Sequence, residues 1–244
     1  MKGAISSITI GLAIVVSTFI LSNAYINRNS SNNSISVTGL GESDFVSDLI
    51  VWEGEFSKEN LNLKQAYSDL EKDRQLILFY VKGKGIDPEQ IVFSAVTTEE
   101  ISKTKYSNKG QYIGEDFIGY MLSQEIQIES KEVEKVEKIS REITELLNKG
   151  IQFYSNQPRY YYTKLADLKI EMISKATIDA KLRADNIAKN SEASLGELTS
   201  AKMGIFQITG QNSEEDYSWG GTLNTSSKLK TASITVKLKY RVNN

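Results

Sequence analysis

The sequence has no cysteine and no histidine among its 244 residues, and these two absences remove most of the usual side-chain chemistry. Without cysteine the chain has no disulfide, no thiolate nucleophile and no cysteine-ligated metal site. Without histidine it lacks the side chain that most often acts as a general base or metal ligand. Ser-His-Asp and Cys-His catalytic arrangements are therefore excluded, and only carboxylate, lysine, tyrosine or serine chemistry remains.

Proline is scarce as well, with two residues, so long proline-rich linkers are not expected. The chain also has no excess of positive charge. It carries 29 Lys and Arg residues against 31 Asp and Glu residues, a net charge of −2, which argues against a nucleic-acid partner. A hydrophobic share of 40% is ordinary for a globular protein. We expect a globular protein with no cofactor, no metal site and no bound nucleic acid.

The N-terminal segment is predicted to direct export. Residues 4–26 contain no charged residue, and Lys2 precedes them. About twenty apolar residues suffice to cross a bilayer as a helix, and a positive start before an apolar run is also typical of a secretory signal. Two interpretations stay open: residues 1–26 are a retained transmembrane anchor, or they are a signal cleaved near Ala24. Residues 27–34 then form a polar tether.

Either interpretation places the remaining chain, residues 35–244, in the periplasm or outside the cell, tethered to the inner membrane if the anchor is kept.

The order strand, strand, helix, strand, strand is predicted for residues 35–130 and again for residues 151–244, with a helix at 131–149 joining these similar halves. This pattern predicts an α+β domain with mainly antiparallel sheet covered by helices. Polar loops are expected near 102–115 and at 210–229.

A helix with a narrow stripe of small side chains is predicted within residues 172–196, after a strand at 160–168. Ala176, Ala180, Ala184 and Ala188 recur every four residues. Residues at this spacing share one helix face, and a face of alanines lets a helix lie close to the sheet that it covers. A strictly alternating strand, residues 232–242, ends the chain and indicates one buried and one exposed face.

Two short motifs contain the residue types of an active site. Gly39-Leu40-Gly41 resembles the start of a phosphate-binding loop, but a third glycine and a following helix are missing, so we interpret it as turn geometry. Glu53 and Glu55 share one side of a strand, and paired carboxylates can perform acid–base chemistry. A solvated strand face is the simpler explanation. We expect no catalytic residue and no enzymatic activity, with a hydrolase based on Glu53 and Glu55 as the less favoured alternative.

Aromatic residues mark two candidate contact sites for a partner or a ligand. Arg159, Tyr160 and Tyr162 belong to a run that would suit stacking on a sugar or a base. Tyr217 and Trp219 lie in the polar loop at 210–229, where aromatic residues suit contact with a partner. The alternative for both groups is ordinary packing, in a strand for the first and within the loop for the second.

Four stretches of the chain resemble the SIMPL-domain family, formerly a domain of unknown function (DUF541). They are Ser36-Val37-Thr38-Gly39-Leu40-Gly41-Glu42 followed by Asp48-Leu49-Ile50-Val51-Trp52, the turn Gly85-Ile86-Asp87-Pro88-Glu89-Gln90-Ile91, the alanine-rich helix with Leu195-Gly196 after it, and the terminal strand from Ser233 to Tyr240. The resemblance spans roughly residues 34–244. It is greater to the membrane-anchored, periplasmic bacterial members.

This resemblance implies a protein of the bacterial cell envelope, and the absence of histidine and cysteine favours a non-enzymatic one. Bacterial members are mostly uncharacterised, have been associated with stress tolerance and ring-like self-assembly, and have no established catalytic residues. We therefore expect an assembly or interaction module that forms homo-oligomers through exposed sheet edges and the 210–229 loop. A binding module for a small ligand or glycan is the alternative.

Overall fold

The structure, a computed structural model, describes residues 2–29, 33–216 and 218–243. Within these residues it contains four α-helices and two antiparallel sheets, so the predicted α+β class is confirmed. The helices are α1 (Lys2–Asn29), α2 (Leu63–Gly83), α3 (Val133–Glu142) and α4 (Leu165–Asn190). The strands are β1 (Ser34–Val46), β2 (Leu49–Asn60), β3 (Ile91–Phe93), β4 (Thr97–Tyr106), β5 (Tyr112–Ser130), β6 (Gln152–Ser155), β7 (Arg159–Tyr161), β8 (Ser194–Met203), β9 (Gln207–Gly210) and β10 (Leu229–Asn243).

The two sheets draw their strands from distant parts of the chain. The first sheet has the order β1-β10-β8, with β9 also paired with β10. The second sheet has the order β3-β5-β2-β6, with β4 also paired with β5 and β7 with β2. Each sheet thus contains strands from both of the halves outlined by the sequence, because β1 pairs with β10 while β6 and β7 pair with β2.

Helix α4 covers the first sheet, and its alanine stripe is buried as the spacing predicts. Ala176, Ala180, Ala184 and Ala188 are all buried. The strand below them is β1, where a Cβ built on Gly39 would lie 2.1 Å from the carbonyl oxygen of Ala176. The interpretation of Gly39-Leu40-Gly41 as a turn is therefore wrong. These glycines lie inside a strand, where they allow the helix backbone to approach.

The same helix also covers the outer edge of β1. The backbone N–H of Leu40 donates a hydrogen bond of 2.9 Å to Oδ2 of Asp179 on α4. This bond is the main reason why the pKa of Asp179 is lowered, with a smaller contribution from Arg183. An edge strand normally offers unpaired backbone groups to other chains. Because Asp179 of α4 already accepts a hydrogen bond from one of these groups, β1 is less available for self-association than the sequence suggested.

Helices α2 and α3 cover the second sheet and close a larger core. Trp52 and Phe56 of β2 are completely buried there, together with Ile126 and Ile128 of β5. Lys58 at the far end of β2 forms an ion pair of 2.9 Å with the buried Asp73 of α2. Burial raises the pKa of Asp73, although the hydrogen bond from Lys58 opposes this effect.

Three local predictions were wrong because the strand and helix boundaries lie elsewhere. Residues 160–168 are not one strand, since β7 ends at Tyr161 and α4 already begins at Leu165. The helix predicted to reach residue 196 ends at Asn190, and Gly196 lies inside β8. The polar segment at 102–115 is not a loop, because most of it belongs to the β4–β5 hairpin. Polar strands that face solvent on both sides lack the alternation from which strands are predicted.

Helix α1 contains nearly all of the predicted N-terminal segment, while Met1 and residues 30–32 of the predicted tether lie outside the described residues. Side chains from Ile10 to Tyr25 are exposed. In the described part of the chain, no helix is both long and apolar enough to cross a membrane.

Candidate functional site

The structure does not gather the candidate residues at 159–162 into one surface. Arg159 forms an ion pair with Glu53 on the neighbouring strand β2. Tyr160 is buried in the core of the second sheet. Tyr162 packs its ring against Phe45 of β1, with the ring centroids 4.8 Å apart. These contacts match the packing alternative for this group.

Tyr160 instead takes part in a junction between the two sheets. Nζ of Lys230, on β10 of the first sheet, donates hydrogen bonds to the carbonyl oxygens of Tyr160 and Asn224. Lys230 is only 2% exposed. Burial lowers its pKa to about 8, while the negative charge of Glu215 opposes this shift. Burial also raises the pKa of the Tyr160 phenol.

Lys230 was missed in the sequence, although a signal was present. It occupies the same alternate positions of β10 as Ala232, Ile234 and Val236, all of which face the core. A lysine at a core-facing position needs hydrogen-bond partners, because an unpaired buried ammonium group is costly. The strand pattern therefore marks Lys230 as unusual, but only the folded chain reveals its two carbonyl partners.

Glu53 and Glu55 are half-buried on β2. They alternate along β2 with the buried residues Trp52 and Phe56, so they face away from the core. Glu53 is paired with Arg159, and Glu55 lies directly opposite Glu125 on β5. Catalytic carboxylates usually lie in a cleft that excludes water. Among the described residues, no group of three or more Asp, Glu, His or Cys side chains could hold a metal ion.

Trp219 lines a groove on the first sheet, and we name this feature the Trp219 groove. Its volume is about 480 Å³. Its lining residues come from β1, β10, the β8–β9 connection, β9 and the loop that follows β9: Leu40, Gly204, Ile205, Gln207, Ser218, Trp219, Ser233, Ile234 and Thr235. Trp219 is 95% exposed, so its ring is available for contact. Tyr217, its predicted companion, lies outside the described residues.

Gln207 holds the backbone beside Trp219 in place. Its Nε2 donates a hydrogen bond of 2.8 Å to the carbonyl oxygen of Ser218, and its Oε1 accepts one of 2.8 Å from the N–H of Thr222. Gln207 is buried. A buried side-chain amide with both ends bonded restricts the backbone around it. The loop therefore presents Trp219 from a fixed backbone.

The β4–β5 hairpin forms the most exposed surface of the second sheet, and we call residues 97–118 the arm. Almost every residue of β4 is exposed, and burial along β5 begins at Gly119. The arm nevertheless carries several large apolar side chains that are about half exposed: Tyr106, Tyr112, Ile113, Phe117 and Ile118. Exposed apolar groups on a two-stranded projection are typical of a contact surface.

A turn signal in the sequence could have revealed the arm. The backbone N–H groups of Lys109 and Gln111 both donate hydrogen bonds to the Ser107 hydroxyl. Gly110 follows with a φ of 75°, a conformation that glycine adopts most readily. Ser-Asn-Lys-Gly between Lys103-Thr104-Lys105-Tyr106 and Gln111-Tyr112-Ile113 is thus a hairpin turn. Because the flanking residues are highly polar, the sequence predicted a loop here and not a hairpin.

No curated protein matches this chain. The family described as SIMPL, protein of unknown function (DUF541), matches residues 35–241. The match covers all ten strands except the first residue of β1 and the last two of β10. It therefore includes both cores, the Trp219 groove and the arm, and on this evidence the chain belongs to the SIMPL family.

Proposed function

We propose that the protein is a non-enzymatic module of the bacterial cell envelope that works by associating with further copies of itself. The observation that carries this proposal is the arm. A two-stranded hairpin is marginally stable alone in water, and three or more strands or a packed face are usually needed. From Ile101 to Ile118 the arm has, among the described residues, only its own two strands, because β5 pairs with β2 from Tyr120 onward, and this part exposes five large apolar side chains. Contact with another chain would cover them.

The proposed lack of enzymatic activity is supported by the residues that chemistry would need. The chain has no histidine or cysteine. Glu53, one of the two carboxylate candidates, is already paired with Arg159. Glu55 lies directly opposite another carboxylate, Glu125, on the sheet face away from the core.

The proposed location outside the cytoplasm is supported by the N-terminal sequence. Side chains between Ile10 and Tyr25 are mostly apolar and uncovered in the structure. A lipid surface or the export machinery would suit such a segment. The location is tested by protease digestion of spheroplasts: cleavage of the chain without lysis supports export, and protection until lysis contradicts it.

Self-association is tested by the mass of the full chain in a mild detergent, measured by light scattering over a wide range of concentrations. A defined oligomer that persists on dilution supports the proposal. A monomer at every concentration contradicts it.

A second function, binding of a small ligand or glycan, is supported by the Trp219 groove. An exposed indole beside an apolar groove suits stacking on a sugar ring. Titration with chitotetraose tests it through tryptophan fluorescence. A saturable change that is absent in Trp219→Phe supports this function, since Trp52 is buried and remains as an internal reference. No change in the unaltered chain contradicts it for this class of glycan.

A further inference from the structure

We infer that two copies of the protein pair through the outer edges of their β4 strands, in antiparallel orientation, so that two arms form one four-stranded sheet. This inference rests on the proposed self-association and names the surface that carries it. The partner is a second copy of this chain, and the expected contact is symmetric. A twofold contact of this kind uses the same strand from both copies.

The outer edge of β4 is available for such pairing. In the described part of the chain β4 pairs with β5 and with no other strand. Its ten residues therefore expose a row of backbone N–H and C=O groups on the side away from β5. Such an edge is a template for a further strand. Joining two edges makes four strands of the two-stranded part of each arm, residues 101–118, and so removes the weakness of a two-stranded hairpin.

The order of charges along β4 selects the antiparallel orientation. Glu99 and Glu100 lie in the first half of the strand, and Lys103 and Lys105 lie in the second half. An antiparallel pair centred on Ser102 places Glu99 of one copy opposite Lys105 of the other. A parallel pair would instead place like charges together. Opposite charges across a strand pair stabilise it, and like charges destabilise it.

Within one copy of the chain, these charged side chains have few ion-pair partners. Glu99, Glu100 and Lys103 form no ion pair among the described residues, and Lys105 is bonded to Asp116 of its own arm. All four are exposed. Charges on an edge strand often serve to prevent pairing. Here, however, the two signs occupy separate halves of one strand, so they oppose only the parallel orientation.

The pairing also brings the exposed ring of Tyr106, near the tip of the arm, into contact with the other copy. Tyr106 ends β4 and is 63% exposed. In the pair centred on Ser102 it lies opposite Thr98, near the base of the other arm. An aromatic residue against a β-branched one is a favourable cross-strand pair. Each copy contributes this contact once, so it occurs twice in the dimer.

Two charge-reversal variants test the inference. Glu99→Lys with Glu100→Lys makes the edge entirely basic, and Lys103→Glu with Lys105→Glu makes it entirely acidic. Each variant alone places like charges opposite one another. We expect each to raise the concentration at which the full chain dissociates by at least about tenfold, because the two Glu99–Lys105 pairs of the dimer, each worth up to ~1 kcal/mol, become pairs of like charge. An equal mixture of the two should associate as tightly as the unaltered chain.

Three outcomes separate this inference from the proposed function. Restoration in the mixture supports β4 pairing. Association unchanged in both single variants, or lost and not restored by mixing, overturns it while self-association stands. A monomeric unaltered chain overturns the proposed function itself. Lys202→Glu, on the edge strand β8 of the first sheet, is the control and should leave dissociation unchanged. Circular dichroism of all variants verifies that they fold.

Discussion

Nζ of Lys230 lies 2.6 Å from the carbonyl oxygen of Tyr160, and this hydrogen bond joins β10 of the first sheet to β7 of the second. The lysine is buried and its pKa is lowered to about 8. At this pKa the amine can lose one proton and still donate to both of its carbonyl partners. The link between the sheets is therefore compatible with the neutral form, and folding favours that form.

Stability should consequently rise with pH above 8. The folded pKa of Lys230 is about 8 against an ordinary value of 10.5, so in this window the unfolded chain binds a proton that the folded chain does not. The free energy of unfolding then increases with pH, by up to about 1.4 kcal/mol per pH unit. Below pH 8 both states are protonated and this contribution no longer varies.

Urea unfolding between pH 7 and 10 measures this slope. Lys230→Met should reduce it, whereas Lys237→Met, an exposed position on the same strand, should retain it. An equal slope in both variants would show that other groups produce the pH dependence.

Gly39→Ala should destabilise the first sheet strongly. The added Cβ would lie 2.1 Å from the Ala176 carbonyl oxygen and 2.4 Å from the Ala180 nitrogen, both backbone atoms of α4. The helix must move away from β1, at a cost of about 3 kcal/mol or more. Gly83→Ala is the control, because a Cβ there meets nothing within 4 Å. Urea unfolding compares the two, and similar free energies of unfolding would contradict the close approach of α4.

The two tryptophans should differ sharply in their contribution to stability. Trp52→Ala removes a completely buried side chain and should cost about 3–5 kcal/mol. Trp219→Ala removes an almost fully exposed one and should change the free energy of unfolding by less than about 0.5 kcal/mol. Circular dichroism during urea unfolding measures both. A large loss in Trp219→Ala would mean that the loop packs more tightly than the structure shows.

Lys58→Met should destabilise the protein more at neutral than at acidic pH. It leaves Asp73 buried without its ion-pair partner, which should cost about 1–3 kcal/mol at pH 7. Burial already raises the pKa of Asp73, so the neutral form is favoured on folding and stability is lost as pH rises through the folded pKa. Without Lys58 that pKa rises further, because its hydrogen bond is what opposes the effect.

Thermal unfolding at pH 4 and pH 7 compares this variant with Lys64→Met, an exposed lysine on α2. The midpoint temperatures of the two variants should differ most at pH 7. An equal difference in midpoint temperature at pH 4 and pH 7 would show that lost packing, and not the charge of Asp73, explains the effect.

Regular periodicity was enough to predict several elements of this fold. The alanine stripe of α4 was confirmed, and so was the alternation of β10 except at Ser233, which is buried, and at Val242, which is only half-buried. The arm was missed for the opposite reason. Its strands face solvent on both sides, so polar residues occupy both faces and no alternation marks them. Sequence patterns report burial, and an exposed strand leaves no such pattern.

For the candidate contact residues the sequence left both contact and packing open. The structure leaves the Trp219 side chain 95% exposed. Tyr160 and Tyr162 were separated into different contacts, although they are neighbours in sequence. Their surroundings depend on the point at which the chain leaves the second sheet to begin α4.

By itself, the sequence determined the fold class, the absence of histidine and cysteine chemistry, and the faces that α4 and β10 bury. Each of these follows from composition or from backbone geometry that repeats within a few residues. Only the tertiary structure decided that β1 pairs with β10, that Gly39 lies beneath Ala176, and that Lys230 bonds to Tyr160. These contacts join residues between 70 and about 200 positions apart. They depend on strand register and on the close approach of backbones, and no local pattern encodes either.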